Sequence, residues 1–244
     1  MISGRYGEYL PNLSIDCVIF GFHDGELKVL LLKWKHVGGW SLPGGYIGRQ
    51  ESLEDAAQRV LAERTGLKEV YLQQFGAFGG LDRREQETIG TFFRGLGLEV
   101  PADYPFSGRV VTIGYFALVD FQKAIPTPDQ FADDCRWWDL HDRPPLLFDH
   151  EAILGSALET LRQQLDYMPL GANLLPDKFT MPELQKLYET VLGRELDRRN
   201  FQRKVQDLGI VVRLAERRTG GAHRAPYLYR FDRDRWERQV RDGR

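Results

Sequence analysis

The segment of residues 44–67, GGYIGRQESLEDAAQRVLAERTGL, constrains the fold more than any other part of the chain. Ser52 is followed three residues later by Asp55, a spacing that resembles a helix-capping box, and Gly66 ends the regular pattern. Between these signals, apolar residues recur at helical spacing: Leu53, Ala56, Ala57, Val60 and Leu61. The segment therefore predicts an amphipathic helix that packs one face against a core.

This segment resembles the Nudix box, a motif of Gly, five residues, Glu, seven residues, and then Arg-Glu-apolar-x-Glu-Glu-x-Gly-apolar. The matching positions are Gly45, Glu51, Arg59, Leu61, Glu63, Gly66 and Leu67. The resemblance implies a Nudix-like α/β/α sandwich with a mixed sheet. Two positions depart from the motif, because Val60 stands at the place of the first glutamate of the helix and Arg64 at the place of the last.

The two departures bear on metal chemistry. Residues 60, 63 and 64 lie at i, i+3 and i+4, so a helix projects them from one face toward a common point. In active enzymes with this motif, three carboxylates at these positions hold Mg²⁺ against a pyrophosphate. Of these three carboxylates only Glu63 remains here. Because it lies beside a guanidinium, we expect it to form an ion pair. The sequence thus predicts no catalytic residue, no metal site and no cofactor. The alternative is an active hydrolase, in which Glu85 or Glu87 supplies a metal ligand from a loop.

Arg64 places a fixed cation where such enzymes hold metal. We expect it to form forked hydrogen bonds with an anionic or polyhydroxylated ligand, and a solvated helix residue is the alternative. By analogy with the cleft of the family, the expected effector-binding residues are Trp40, Glu51, Arg59, Glu63, Arg64, Phe78, Asp82 and Arg83. Core packing is the alternative for the two aromatic residues of this set.

The first part of the chain alternates short apolar runs with turn signals. Asp24 and Gly25 separate the runs of residues 15–22 and 27–35, which predicts a β-hairpin. Further strand candidates are residues 70–79, 109–120 and 135–140. Strands with one interposed helix predict an α+β fold. Residues 92–108 are rich in glycine, proline and aromatic residues, which predicts a loop insertion with no element of its own.

Length and charge indicate two domains with different partners. The 244 residues exceed the usual size of a single core. Residues 171–244 carry 17 Lys and Arg against 11 Asp and Glu, a net +6, whereas residues 1–170 carry 16 against 24, a net −8. A basic segment on an acidic body is typical of a nucleic-acid-binding part, and a solvated basic surface is the alternative.

Cysteine usage and hydropathy exclude several classes of protein. Cys17 and Cys135 lie far apart without metal-ligand spacing, which indicates neither a zinc site nor a disulfide framework. No apolar run approaches the roughly 18 residues of a membrane span, and the first residues lack the pattern of a signal peptide. We therefore expect a cytoplasmic protein that does not interact with a membrane.

Two helical patterns follow in the basic segment. Thr180 and Glu183 form a capping box, and the apolar stripe behind them, which ends at Gly193, consists of Leu184, Leu187, Tyr188 and Val191. Asp197 is expected to cap a second helix that ends at Gly209 and turns Phe201, Val205 and Leu208 inward. Two helices with a short turn are typical of a helix-turn-helix, whose second helix enters the major groove. The residues expected to contact DNA from it are Arg198, Arg199, Asn200, Gln202, Arg203 and Lys204, and Gln206 is a further side chain that faces outward.

The stretch IVVRLAERRTGGAHRAPYLYRFD predicts two strands around a Gly-Gly turn, which is the wing of a winged helix. Its tip carries Arg217, Arg218, His223 and Arg224, which we expect to contact the DNA backbone or minor groove. A protein-interaction domain is the alternative, because winged helices also serve that purpose.

Together the two halves resemble the Nudix-related transcriptional regulators of the NrtR family. The local features that carry this resemblance are AQRVLAERTGL, QQFGAFGGLDR, FDH and LLPDKFTMPELQKLYETVLGRELDRRNFQRKV. The expected organisation is a Nudix-like effector-sensing domain over residues 1–148, a linker helix and connection capped by Asp149 over residues 149–175, and a winged helix over residues 176–244.

The resemblance also implies partners and an activity. We expect a homodimer that represses transcription by binding a palindromic double-stranded operator and that releases it when a small effector binds. The effector is ADP-ribose or a pentose of sugar catabolism, and residues 92–108, which depart from shorter family members, leave this choice open. An active Nudix hydrolase of ADP-ribose or a related nucleotide diphosphate, with an accessory winged helix, is the alternative.

Overall fold

The computed structural model describes residues 6–81, 83, 86–106, 108–164, 174–218, 225–232, 234, 235 and 238. Contacts divide the chain into two units. The first unit consists of Met1–Phe20, Lys28–Ala117 and Gln122–Thr160, and the second of Gly21–Leu27, Leu118–Phe121 and Leu161–Arg244. The second unit therefore includes the tip of a hairpin and the end of a strand from the first half of the chain.

The predicted β-hairpin is confirmed. It is formed by β1 (Tyr9–His23) and β2 (Glu26–Trp34). Its turn residues, Asp24 and Gly25, have φ values of 52° and 79°, which is the left-handed conformation that an Asp-Gly hairpin turn requires. β1 is buried without interruption from Ser14 onward for eight residues, as expected of a strand covered on both faces.

Five more strands complete the large sheet within the described part of the chain. They are β3 (Trp40–Ser41), β4 (Gly44–Gly48), β5 (Gln73–Phe78), β6 (Val111–Leu118) and β7 (Ala132–Asp139). The strand order is β3-β2-β1-β6-β5, with β4 paired to β1 and β7 paired to β2. The strand candidates of the sequence are thus confirmed, and β1 lies at the centre.

The predicted amphipathic helix is α1 (Leu53–Thr65). The Ser52 side chain accepts a hydrogen bond from the backbone of Asp55, and Gly66 closes the helix in the left-handed conformation at φ 74°. The buried face of the helix consists of Ala56, Ala57, Val60, Leu61 and Thr65. Each large apolar side chain buried here contributes about 1.5–3 kcal/mol, so this face fixes α1 on the sheet.

The prediction that residues 92–108 form a loop without an element of their own is wrong at the start of that range. Helix α2 (Gln86–Gly95) runs into it. The helix is held by buried Ile89, Phe92 and Phe93, which pack with Tyr104 and Phe106 from the chain that follows. The aromatic residues that suggested an irregular loop are therefore a core cluster.

Helix α3 (His150–Gln164) begins directly after Asp149, at the predicted position. Its apolar residues Ile153, Leu154, Ala157 and Leu161 recur at helical spacing and are buried, and Leu158 is half-buried. The helix carries the chain from the first unit into the second.

The second unit contains the predicted winged helix. Its elements are β8 (Phe179–Thr180), α4 (Met181–Leu192), α5 (Arg198–Leu208), β9 (Val211–Arg217) and β10 (Tyr227–Phe231). The capping box of Thr180 and Glu183 is present, and Asp197 caps α5. Antiparallel β9 and β10 form the wing, with β8 on the other side of β10.

Among the residues that the structure describes, no helix is both long and apolar enough to cross a membrane.

Candidate functional site

A cavity of about 650 Å³ opens in the first unit. This volume lies within the roughly 300–1,000 Å³ of pockets that bury small molecules. Much of its wall is aromatic, with contributions from Tyr6, Tyr9, Trp34, Tyr46, Phe92, Phe93, Tyr104, Phe106, Phe131 and Phe148. Two sets of polar groups stand out among the lining residues, one at the floor and one along α1.

The floor is built around Asp16 of β1, whose side chain is 6% exposed. Its Oδ2 lies 3.0 Å from Nη2 of Arg83, and its Oδ1 lies 3.4 Å from Nε2 of His150. Nε of Arg83 is in turn 3.5 Å from Oδ1 of Asp149. This network joins β1 to the first residue of α3 beneath the cavity.

Hydrogen bonding fixes the protonation of this network. The backbone N–H of Leu42 donates to Nδ1 of His150 at 2.9 Å, so that nitrogen carries no proton and Nε2 directs its proton at Asp16. Burial on its own raises the pKa of Asp16, but His150 and Arg83 outweigh it and hold this pKa below its usual value of 3.8. The floor therefore offers an ionised carboxylate that accepts hydrogen bonds.

The second polar set follows the exposed side of α1. Arg59 donates to both carboxylate oxygens of Glu51, from Nε at 2.9 Å and from Nη2 at 2.6 Å. It also donates to the Tyr46 carbonyl at 2.8 Å and to Glu63 at 3.0 Å. Hydrogen bonds from Arg59 lower the pKa of Glu51 despite partial burial. Glu51 and Arg59 thus fix the loop before α1 to the helix.

Arg64 lies on the cavity wall in an aromatic setting. Its Nη1 is 2.5 Å from Oδ2 of Asp129, and its guanidinium carbon lies 5.8 Å and 6.0 Å from the ring centroids of Trp34 and Phe131. Its buried Nε has no hydrogen-bond acceptor among the described residues. Glu63 pairs with Arg59, so the expectation of an ion pair holds, but its partner is not Arg64.

These residues do not suit Mg²⁺. A hard divalent cation requires several oxygen ligands, and the three positions on α1 hold Val60, Glu63 and Arg64. Val60 is buried and packs against Gly45, where the Cβ atom of any larger residue would lie 3.1 Å from Val60 Cγ2. The one carboxylate is committed to Arg59, and no group of three or more potential ligands forms among the described residues.

Only some of the predicted effector residues line the cavity. Three of them, Arg59, Glu63 and Arg64, line the cavity, while Glu51 holds Arg59 and Arg83 holds Asp16. The two aromatic residues of the set lie outside the lining. Trp40 packs edge-on against Trp138, and Phe78 contacts Phe75. Asp82 lies outside the described residues.

Two sets of lining residues escaped the sequence analysis. One is the aromatic cluster of α2 and the chain after it, including Tyr104, whose hydroxyl lies 2.5 Å from that of Tyr46. The other is the floor, Asp16 with His150. An acidic residue inside the apolar run of β1, and the histidine of the FDH stretch, were the available signals.

A separate candidate surface lies on α5 of the second unit. Phe201 and Val205 are buried, whereas Arg198, Arg199, Asn200, Arg203 and Lys204 are exposed and Gln202 is half-buried. No carboxylate of the described residues lies within ion-pair distance of Arg198 or Arg199, which stand in the first turn. Arg203 donates to Asn200 Oδ1 at 3.1 Å. The exposed first turn thus presents positive charge, as the sequence predicted.

Two arginines of the wing, Arg217 and Arg218, make contacts within the second unit. Arg217 lies 4.0 Å from the ring centroid of Tyr227 and donates to the hydroxyl of that residue at 2.6 Å. Arg218 donates to both oxygens of Glu183, at 2.9 Å and 2.7 Å. His223 and Arg224 lie outside the described residues.

Comparison with known proteins assigns both parts of the chain to families. Residues 10–159 match the NUDIX domain family, and residues 171–231 match the family of the NrtR DNA-binding winged helix domain. The chain is 30% identical over 228 residues to the "ADPR responsive transcriptional repressor NtrR" of Acinetobacter baylyi, covering 91% of this chain and 82% of that protein.

Two solved structures extend the similarity. Shewanella oneidensis NrtR complexed with a 27mer DNA is 31% identical, with a TM-score of 0.71 over 92% of this chain and 95% of that one. The NUDIX domain of the same protein complexed with ADP ribose is 30% identical, with a TM-score of 0.50 over 66% of this chain and 94% of that one. Both family matches and the similarity across nearly the whole chain show that the chain belongs to the NrtR family of Nudix-related transcriptional regulators.

Proposed function

We propose that this protein is an ADP-ribose-responsive transcriptional repressor whose Nudix unit binds the effector without cleaving it. The observation that carries the proposal is Arg64, a cation in place of a metal-binding glutamate, whose Nε is buried without an acceptor among the described residues on the wall of a cavity of about 650 Å³. The relatives that respond to ADP-ribose, or are complexed with it, favour this effector over a pentose.

The arginines and the aromatic wall of the cavity suit different parts of ADP-ribose. Arg59 and Arg64 lie along α1, where a pyrophosphate would receive hydrogen bonds from their guanidinium groups. The aromatic wall supplies flat apolar faces for a nucleobase. A free pentose has neither an anionic group for the arginines nor an aromatic base to stack on this wall.

The absence of hydrolysis belongs to the same proposal. Cleavage of a pyrophosphate requires a cation that neutralises developing charge and activates water. Arg64 provides charge but no activated water, and Glu63 is held by Arg59 at 3.0 Å. The cavity is then a recognition site rather than a reaction site.

The winged helix would contact DNA through α5. Arg198 and Arg199 in its first turn have the chemistry to contact phosphates and base edges. A palindromic operator requires two such helices, so the proposal includes a homodimer. It also includes the cytoplasmic location expected from the sequence.

The proposal is tested with DNA from upstream of the gene itself. In fluorescence anisotropy, the full chain should bind this DNA, and ADP-ribose should release it while arabinose and xylose should not. Arg64→Met should weaken ADP-ribose binding about tenfold, the loss expected for a charge-assisted hydrogen bond. Failure to bind any upstream fragment at low salt, or release by a pentose alone, would contradict the proposal.

A hydrolysis assay separates the sensor from the alternative enzyme. With Mg²⁺ present, ADP-ribose should remain intact over hours at micromolar protein. Turnover that survives Arg64→Ala but disappears with Glu63→Gln would establish a hydrolase in place of a sensor.

A further inference from the structure

The floor of the cavity contains a hydroxyl group without a partner among the described residues. Ser14 of β1 is 4% exposed and lines the cavity, and its Oγ makes no hydrogen bond with any of them. A buried polar group left in this state costs about 1–3 kcal/mol, and such groups in folded proteins commonly have a functional reason. The position of Ser14 indicates what that reason is.

Ser14 and Asp16 form one polar strip. They are two residues apart on β1, so their side chains lie on the same face of the strand. Their partners on β4 are Tyr46 and Gly44, respectively. Gly44 is required there, because a Cβ atom at this position would lie 2.2 Å from Asp16 Oδ1. The strip therefore stays open to the cavity above a glycine and offers one hydroxyl and one carboxylate.

The charges of the cavity determine which part of a ligand this strip accepts. An anionic group is repelled by the carboxylate of Asp16 and attracted to Arg59 and Arg64 on α1. Hydroxyl groups suit the strip, because they donate to a carboxylate and both donate to and accept from a serine hydroxyl. A nucleobase is better placed on the aromatic residues of α2 and the chain after it.

We infer that Ser14 and Asp16 form a subsite for the hydroxyl groups of a sugar, and that they bind the terminal ribose of ADP-ribose. This inference rests on the proposed function for the identity of the whole ligand. The terminal ribose has free hydroxyls and no base, so it fits an open floor beside a glycine. The pyrophosphate on α1 would then separate it from the adenosine on the aromatic wall.

The experiment compares ligands that differ at one end. Binding of ADP-ribose, IDP-ribose, ADP and ribose 5-phosphate to the full-length wild type and Ser14→Ala is measured by calorimetry. Loss of one or two hydrogen bonds should weaken ADP-ribose, IDP-ribose and ribose 5-phosphate about 3- to 10-fold. ADP, which lacks the terminal ribose, should change by less than about twofold.

The control is a second serine of the same cavity. Ser41 Oγ donates to the Leu42 carbonyl at 2.9 Å and accepts from Trp34 Nε1 at 2.8 Å, so its hydroxyl is used within the protein. Ser41→Ala should lower the melting temperature and leave the ratio of ADP-ribose to ADP affinity unchanged. Ser14→Ala removes a hydroxyl that has no hydrogen-bond partner among the described residues, so it should not lower the melting temperature. It should instead lower the ratio of ADP-ribose to ADP affinity.

The other outcomes distinguish failure of the inference from failure of the proposed function. Equal weakening of ADP and ADP-ribose, or no weakening of either, would show that the floor does not bind the terminal ribose. A loss for ADP-ribose but not for IDP-ribose would place the adenine amino group on the strip instead. If the wild type fails to bind ADP-ribose at all, the proposed function fails, and ribose 5-phosphate against inorganic phosphate still tests the subsite.

Discussion

The arginines of the cavity and those of α5 show two uses of the same side chain. In the first unit, Arg59, Arg64 and Arg83 each pair with a carboxylate, at 2.6 Å, 2.5 Å and 3.0 Å. In α5, Arg198 and Arg199 have no such partner among the described residues. A paired guanidinium has a fixed direction, whereas an unpaired one keeps its charge for a binding partner.

This difference fits the proposed function, in which one chain binds both a small effector and DNA. A small ligand in a cavity needs donors in a fixed geometry, which the carboxylate partners supply. DNA binding depends on net positive charge and on the release of counterions, which internal pairing would reduce. Arginines of the two regions should therefore respond differently to substitution.

The largest effect is expected at the floor, for Arg83→Met. The substitution leaves Asp16 buried, with His150 as its remaining partner in the floor network. Breaking a buried ion pair in this way costs about 3–5 kcal/mol. The free energy of unfolding in urea should fall by that amount at neutral pH. The double variant with Asp16→Asn should recover part of the loss, and equal losses in both would contradict a coupled pair.

The same variant should show a defined pH dependence. The folded-state pKa of Asp16 lies below its usual value of 3.8, so its stabilisation is present above that pH and is lost as the pH falls through the lower folded value. Without Arg83 the folded-state pKa of Asp16 is higher than in the wild type, so the difference in unfolding free energy between wild type and Arg83→Met should narrow as the pH falls from the pKa of Asp16 in the variant to the lower pKa in the wild type. A difference that stays constant down to about pH 2 would show that Asp16 does not contribute through its charge.

The next effect concerns DNA binding by α5. Arg198→Ala with Arg199→Ala should weaken binding to upstream DNA about 10- to 100-fold and reduce the slope of log affinity against log salt by about 1.8. Thermal stability should change little, because these side chains are exposed. Arg94→Ala, which removes an exposed arginine of α2 from the first unit, is the matched control. An unchanged slope would indicate that α5 does not contact phosphates.

The sequence predicted well those features that neighbouring residues determine. The cap, the apolar stripe and the terminal glycine of α1 all lie between Ser52 and Gly66, and the helix forms within these limits. The same holds for the Asp24-Gly25 hairpin and for the capping box of α4. Each of these signals acts over a short stretch of chain, so the sequence displays it directly.

Contacts between distant residues were the features that the sequence did not reveal. Asp16, Arg83 and His150 meet only after β1 and α3 are brought together, and no spacing rule relates their numbers. The aromatic residues between Phe92 and Phe106 resemble a loop until they pack against one another. The partner of Glu63 was misassigned for a related reason, since Arg59 and Arg64 lie on either side of it and tertiary contacts with Asp129 decide between them.

A smaller effect is expected for Glu51→Gln. The variant weakens the two hydrogen bonds that hold Arg59, whose side chain is 29% exposed, so a loss of about 1 kcal/mol is expected at neutral pH. The pKa of Glu51 is lowered from its usual 4.5, so this loss should shrink as the pH falls below 4.5. Glu54→Gln, an exposed residue of the first turn of α1, should change stability by less than about 0.5 kcal/mol. Equal losses in the two variants would show that the pair with Arg59 adds nothing.

The smallest effect is expected for Arg218→Ala in the wing. The sequence assigns this arginine to DNA, but it already donates to both oxygens of Glu183, and that exposed pair contributes at most about 1 kcal/mol to stability. Its exchange for a phosphate contact gains little, because one ion pair replaces another. Affinity for upstream DNA should fall by less than about threefold and the salt slope should stay within about 0.3 of the wild-type value. A loss as large as that of the α5 variant would show that Glu183 releases Arg218 on binding, and the distinction between paired and unpaired arginines would then not extend to the wing.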